Sequence, residues 1–496
     1  MPFQIIYDIT GLVTRQSVET PVGLDRVNLR YAEHLATRYP GKVLFVKQKG
    51  KHSTLIDTDD AIALINYLES RWSPDINSSR HNDSMSFRIE HSGILEPDFE
   101  SFYALPFAER FKYLLNNDMR SELGPEFRWF DSIPYSIKVV YYLLGASSRR
   151  LGRFFVRVGR FIGVYSKIHN WKKASRAAFR ERPPDIKLID HLNLNIDREK
   201  KFYFINTSQY VGLSLNLLHE IKDSVRNIEF IFFIHDLLPI EYPEYFVTEF
   251  DNLVEARIKQ ILRLKPRIIA NSEFTRQQVL DFAKAHKGLK PVSVDFAPIG
   301  AEKHFYSRTD LDRASNKEIY FVTICTIEPR KNHLLLLHIW RELHKFVSPV
   351  PHLYLVGKRG WENENTVDLL ERSLTLQDTV HETANLLDEE LVPLLANARA
   401  LLFPSFCEGW GMPVVEALSL GTPVICSDIP ALRESGQDIP DYIDPLDGNH
   451  WRRTIINYCD ENSDLRNNQL DRIKNFKPPT WEDHFAKTLD RIITGS

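Results

Sequence analysis

Short, continuous apolar runs recur along most of the chain, and amphipathic stretches separate them. FQIIYDIT, VLFVKQ, KFYFINT, IEFIFFIHD, PRIIANS and SVDFAP precede residue 300, and EIYFVTICT, HLYLVGKR, TVHETAN, ALLFPSF and TPVICSD follow residue 318. Between them lie helical patterns such as DRVNLRYAEHLATRY, EFTRQQVLDFAKAHK, NHLLLLHIWRELHKF and DEELVPLLANA. Buried strands alternating with helices of this kind predict parallel sheets covered by helices on both faces, an α/β class. The polar stretch Glu302 to Lys317 reads as a linker, so two α/β halves are expected to face one another. In such sheets ligands sit beyond the carboxyl ends of the strands, which directs attention to the cleft between the halves.

Residues 50–200 break the alternation. Within them, Lys138 to Arg182 holds twelve Lys and Arg residues against one acid, Glu181, interleaved with Tyr141, Tyr142, Phe154, Phe155, Phe161, Tyr165 and Trp171. RRLGRFFVRVGRFIGVYSKI reads as a basic amphipathic helix suited to anionic headgroups, or as a solvated helical insertion packed on its own domain. Over the whole chain, 63 Lys and Arg against 66 Asp and Glu give a net charge of −3, which argues against bulk nucleic-acid binding. The four cysteines, Cys325, Cys407, Cys426 and Cys459, are scattered, and no CxxC pair suggests zinc. The start MPFQIIYDITG lacks a signal-peptide pattern, and no run reaches the roughly 18 apolar residues of a membrane span. A cytoplasmic protein is expected, with peripheral contact to the inner membrane open through 138–182.

The stretch most informative about chemistry is FPSFCEGWGMPVVEALSLGTPVICSD, residues 403–428. A strand ends at Pro404, a loop carries Glu408, Gly409 and Gly411, and a helix opens at Met412-Pro413 and stops before Gly421. Proline suits the first turn and glycine the residue past the end. Free N–H groups at such a helix start, with glycines before it, suit a phosphate. Glu408 in the loop and Glu416 one turn into the helix would flank that anion, one for a sugar and one for ribose hydroxyls. Arg330 and Lys331 follow the strand Ile319 to Thr326, where two cations could neutralise a leaving diphosphate. His235 ends the strand IEFIFFIHD, and Gly23 lies between the first strand and a helix starting near Asp25, which also suits a plain N-cap.

This array resembles the Glu-x7-Glu signature of retaining glycosyltransferases of family 4, which have the GT-B fold of two Rossmann-like domains. TICTIEPRKNHLLLL (323–337) is similar to the family's segment that sets an Arg-Lys pair on the donor diphosphate. LYLVGKRGW (353–361) matches the strand ending beside the nucleotide, with Gly357 and Lys358 at its tip. HETANLLDEELVPLLANARALLFPS (381–405) is similar to the segment whose loop reads the base, here Asn385, Leu386 and Leu387. FFIHDLLPI (232–240), IIANSEFTRQQV (268–279) and residues 7–35 resemble elements of the family's first domain.

The resemblance implies an acceptor-side domain over 1–310 with an insertion at about 50–200, and a nucleotide-sugar domain over 311–480. A helix over 481–496 would cross back to the first domain. It further implies retaining, metal-independent transfer from a nucleoside-diphosphate sugar to a hydroxyl of a glycan or lipid-linked oligosaccharide in surface-polysaccharide synthesis. GDP-mannose is the first choice of donor and dTDP-rhamnose the second. Glu408 would position the donor sugar, and His235 would contact the donor sugar or the acceptor near the reacting carbon. Arg330, Lys331, Gly23, Gly411 and Met412 would hold the diphosphate, with Glu416, Gly357, Lys358 and the 385–387 loop on the nucleotide. No cofactor or metal is expected, since no HExxH, Walker or Asp-x-Asp motif occurs. A GT-B phosphorylase, a nucleotide-sugar epimerase and a catalytically silent GT-B scaffold are the alternatives.

Overall fold

Each apolar run named above forms a strand in the computed structural model, which describes residues 2–18, 20–49, 52–72, 187–195, 200–209, 215–306, 318–384 and 386–495. The basic aromatic segment 138–182, most of the linker (307–317) and Asn385 lie outside the described residues.

The first sheet contains β1 (Phe3–Asp8), β2 (Val43–Lys49), β3 (His52–Ile56), β4 (Lys201–Asn206), β5 (Ile228–Ile234), β6 (Arg267–Ala270) and β7 (Ser293–Phe296), in the order β3-β2-β1-β4-β5-β6-β7. All its pairings are parallel except β2 with β3. The second sheet contains β8 (Tyr320–Ile324), β9 (His352–Val356), β10 (Val380–Thr383), β11 (Leu401–Phe403), β12 (Val424–Ser427) and β13 (Asp441–Ile443), in the order β10-β9-β8-β11-β12-β13. Every pair in it is parallel. In each sheet the order reverses beside the first strand, at β1/β4 and at β8/β11, which opens a crevice at the strands' carboxyl ends. Two such lobes make the GT-B arrangement.

Burial explains why these runs must be parallel strands. Neighbouring residues of one strand point to opposite faces, and in the second sheet both faces are covered. Val322, Phe403 and Cys426 enter one apolar cluster with Val414 and Leu418, while Phe321, Leu402 and Ile425 enter another with Leu336 and Trp340. In the first sheet Ile6, Phe204, Phe232 and Ile268 pack against Val254, Ile258 and Val279.

The first lobe takes in more sequence than expected. Residues 52–72 and 187–195, placed by pattern in the insertion, belong to it: β3 runs back along β2, and the helix Thr58–Trp72 buries Leu64, Leu68 and Trp72. The expected linker also begins inside the fold. Glu302 is 2% exposed and accepts from Arg30 Nε at 3.0 Å and Trp481 Nε1 at 3.2 Å. Arg30 Nη1 meets Glu69 at 2.8 Å. A carboxylate so paired is structural, which polarity along the chain does not reveal.

The end of the chain packs on the first lobe. Trp481 and Phe485 are buried, Ala301 N bonds Pro479 O at 2.9 Å, and Asp490 accepts from Tyr39 at 2.8 Å. His484 Nδ1 lies 3.0 Å from Pro298 O and must donate to it, so its Nε2 accepts from Tyr31 Oη at 2.8 Å. Burial lowers the pKa of His484 to about 4, against the opposing pull of the two carbonyls, and keeps this ring neutral. Among the described residues, no helix is long and apolar enough to cross a membrane. Trp481→Ala is expected to cost about 3–5 kcal/mol, the usual loss for a large buried aromatic. Urea denaturation checks this, and an unchanged midpoint would contradict the packing.

Candidate functional site

The β8 and β11 ends converge on one buried carboxylate. After β8 the chain makes a tight turn at Pro329–Lys331, and after β11 it runs through Phe406 and Cys407 to Glu408. Phe406 N bonds Arg330 O at 2.8 Å, which ties the two loops together. Arg330 Nη1 lies 2.9 Å from Glu408 Oε2, and Lys331 Nζ lies 2.5 Å from Oε1. Arg330 Nε is also 2.6 Å from Glu328 Oε1, an ion pair without hydrogen-bond alignment. Lys331 Nζ sits 5.0 Å above the Phe403 ring.

Glu408 is 7% exposed. Burial alone would raise its pKa, but Lys331 and Arg330 overcome that and bring it down to about 2. The Arg330 guanidinium is held charged by Glu408 and Glu328 despite its own desolvation. The result is two cations, Arg330 and Lys331, facing two carboxylates, Glu408 and Glu328, at a strand-end crevice.

Beside this cluster the helix Met412–Ser419 begins. Gly411 caps it at φ +109°, and a Cβ there would lie 2.5 Å from Leu432 Cδ2, so both backbone and space require glycine. Pro413 has no N–H and Val414 N bonds Gly411 O at 3.0 Å, so Met412 supplies the first N–H of this helix. Gly23 begins the facing helix, Gly23–Arg38, two residues before the expected start at Asp25. A Cβ on Gly23 would lie 2.8 Å from Met412 Sδ, so the two helix starts touch across the lobes. Asp25 closes the first turn by accepting from Val22 N at 2.9 Å and pairs with Arg15 at 3.0 Å.

Glu416, also 7% exposed, belongs to a second charged group. Arg26 Nη2 crosses from the first lobe to Asp388 at 2.8 and 2.9 Å, and His304 Nε2 lies 2.8 Å from the same carboxylate. Burial raises Glu416; Arg26 pulls it down, Asp388 and Glu302 push it up, and it reaches about 7. Glu408 and Glu416 therefore hold protons very differently.

The first lobe brings His235 to the same region. His235 Nε2 lies 2.9 Å from Thr207 O and must donate to it, which leaves Nδ1 without a proton in the neutral ring. Burial lowers its pKa to about 4, with the Thr207 bond opposing. Gln209 fixes the backbone around it: Oε1 accepts from His235 N at 2.6 Å, and Nε2 donates to Asp236 O at 2.7 Å. Thr207 Oγ1 in turn bonds Asn28 Oδ1 at 2.6 Å and Tyr7 Oη at 2.9 Å. The adjacent Asp236 has its pKa raised by burial while Arg330 draws it down, so charge from the second lobe reaches it.

The Glu408 loop docks directly on this motif. A Cβ on Gly409 would stand 2.5 Å from His235 O and 2.9 Å from Asp236 Cβ. Gly409 O accepts from Ser272 Oγ at 2.8 Å, and Asn271 Nδ2 bonds His235 O at 2.7 Å. Glu434 accepts from Glu273 N and Phe274 N, each at 2.7 Å; burial raises its carboxyl and these two bonds hold it down. On another side, Trp361 Nε1 donates to Tyr245 O at 2.9 Å and Tyr245 stacks on Phe406 at 5.3 Å.

The remaining candidates lie apart from these contacts. A Cβ on Gly357 would fall 2.0 Å from Cys325 O, so this glycine lets β9 run close to the β8 end. Lys358 is exposed and lends its carbonyl to Ile327 N at 2.8 Å. Leu386 packs against the second lobe's core, and Leu387 N is already bonded to Glu390 Oε2 at 3.1 Å. Sequence reasoning missed Arg26, Gln209, Asp388 and Glu434; Ser272 lay within the quoted segment 268–279. Among the described residues, no group of three or more His, Cys, Asp or Glu could hold a metal ion.

The proton on Glu416 makes stability depend on pH. Its folded pKa, about 7, exceeds the ordinary 4.5, so the burial penalty is complete above about pH 7, shrinks as pH falls and is gone below about 4.5. Glu416→Gln is therefore expected to stabilise the protein at about pH 8 by up to roughly 3 kcal/mol, with most of the gain lost by about pH 5. Thermal denaturation at the two pH values checks this.

Residues 310–438 match the family model described as Glycosyl transferases group 1. The serotype-specific mannosyltransferase WbdA of Escherichia coli is 28% identical over 228 residues, covering 42% of this chain and 27% of WbdA. The O-antigen chain mannosyltransferase B of Escherichia coli is 26% identical over 320 residues, covering 63% of this chain and 81% of that protein. The chain thus spans about a quarter of WbdA and most of mannosyltransferase B. Among solved structures, sucrose-phosphate synthase from Thermosynechococcus elongatus aligns with a TM-score of 0.46 at 18% identity, covering 60% of this chain and 74% of that one.

Proposed function

We propose that this protein is a retaining glycosyltransferase that moves mannose from GDP-mannose to a hydroxyl of a glycan or lipid-linked oligosaccharide in surface-polysaccharide synthesis. The observation that carries the reading is the Arg330–Lys331–Glu408 cluster docked through Gly409 onto His235 and Asp236. Relatives named as mannosyltransferases, and the group 1 match over the second lobe, support the sugar and the reaction class.

In this reading the donor diphosphate binds beside the Met412–Ser419 helix start, at the Arg330–Lys331 turn. It takes the Met412 N–H and shares Arg330 and Lys331 with Glu408. As the glycosidic bond breaks, charge grows on the leaving phosphate, and two fixed cations in a water-poor crevice stabilise it. Glu408, ionised at any physiological pH, orients the sugar and accepts from its hydroxyls. His235, neutral with Nδ1 unprotonated, can accept from a sugar hydroxyl without adding charge. Glu416 binds the ribose. The departing phosphate takes the acceptor's proton on the face it leaves, which retains configuration, and no metal takes part. The basic aromatic segment 138–182 would bring the protein to an anionic membrane surface where a lipid-linked acceptor resides.

Glu408→Gln is expected to lower kcat for GDP-mannose turnover by about a hundredfold or more while GDP stays bound at least as tightly. Lys331→Ala is expected to weaken GDP binding by about tenfold or more, measured by calorimetry. Wild-type turnover in Glu408→Gln would remove that residue from the mechanism. Sugar release that needs inorganic phosphate and no acceptor would point to phosphorolysis instead.

A further inference from the structure

The geometry points to Glu434 as a positioning residue that clamps the two lobes together and so brings the Glu408 loop onto His235. The inference deepens the glycosyltransferase reading and rests on it for its kinetic consequence. Glu434 lies in the helix Pro430–Gly436 of the second lobe, which follows the carboxyl end of β12. Its carboxylate receives Glu273 N and Phe274 N, the first two amides of the helix Glu273–Ala285 in the first lobe. Those amides have no partner inside their own helix, and they carry the positive end of its dipole.

The same helix start makes the other half of the connection. Ser272 caps it by accepting from Thr275 N at 3.0 Å, and its hydroxyl donates to Gly409 O at 2.8 Å. Thr275 Oγ1 approaches Gly409 O at 3.3 Å and His235 O at 3.3 Å. One helical turn therefore holds Glu434, the residue after Glu408 and the carbonyl of His235 together. Gly411 links the two ends inside the second lobe, since a Cβ there would strike Leu432 and Ser435 on either side of Glu434. Losing the Glu434 contact leaves two half-buried amides without acceptors and removes one of the bonds between the lobes, beside the Arg26–Asp388 pair, so the lobes separate more readily.

The nucleotide contacts assigned above lie almost wholly in the second lobe, so a clamp acts on turnover more than on nucleotide binding. Glu434→Ala is expected to lower kcat about tenfold, leave the GDP affinity within about twofold, and raise the radius of gyration measured by X-ray scattering. Glu434→Gln, which keeps one acceptor oxygen, is expected to fall between Glu434→Ala and the wild type, and it carries the test if Glu434→Ala does not fold. Unchanged kcat, or an unchanged radius of gyration, in a folded variant overturns the clamp. If the wild type turns over no nucleotide sugar, the function above fails and scattering alone decides the clamp.

Discussion

The burial of the Glu408 carboxylate between Arg330 and Lys331 is the interaction on which the rest of the site depends. A charge with so little access to water survives only if opposite charge reaches it, and both oxygens are met at 2.9 Å or closer. That need fixes the loop after β11 against the turn after β8. It also explains why Gly409 follows: with Glu408 held inward, the next residue is pressed against the His235 carbonyl, and no side chain fits there. Electrostatics within the second lobe thereby dictates sterics between the lobes.

Glu408 and Glu416 stand eight positions apart on one loop and helix, yet burial acts on them with opposite outcomes. Two cations in direct contact outweigh desolvation at Glu408. At Glu416 the nearby Arg26 is already committed to Asp388, and two acids lie in its surroundings, so desolvation wins. The first carboxylate is a fixed negative charge. The second is poised to exchange its proton near neutrality. A single motif read as a pair of like residues separates into two chemistries once neighbours are counted.

Legibility in the sequence followed the range of the interaction. Strands buried on both faces, such as Ile228–Ile234 and Tyr320–Ile324, announce themselves because their environment is recorded in consecutive residues. The half-polar edge strand His52–Ile56 and the three-residue Asp441–Ile443 leave too short a trace. Local placement was legible in the same way: Arg330, Lys331, Glu408 and Gly411 lie on loops whose strand and helix flanks mark them. Glu302 was taken for linker because a polar residue looks alike whether it faces water or an arginine 272 positions away. Arg26 with Asp388, 362 positions apart, and Glu434 with Glu273, 161 apart, are contacts between lobes that no local pattern encodes.

His235 shows what such distant partners supply. From sequence it is a histidine at a strand end, a place that favours the cleft over the core. Which nitrogen carries its proton is set by the Thr207 carbonyl, and the Thr207 hydroxyl is held by Asn28 Oδ1, to which it donates, and by Tyr7 Oη. Gln209 then fixes the main chain of both His235 and Asp236. Three strand ends, β1, β4 and β5, therefore determine the tautomer of one ring, while the second lobe supplies the charge around it. A substitution at Gln209 or Thr207 would change the site without touching any residue that a motif identifies.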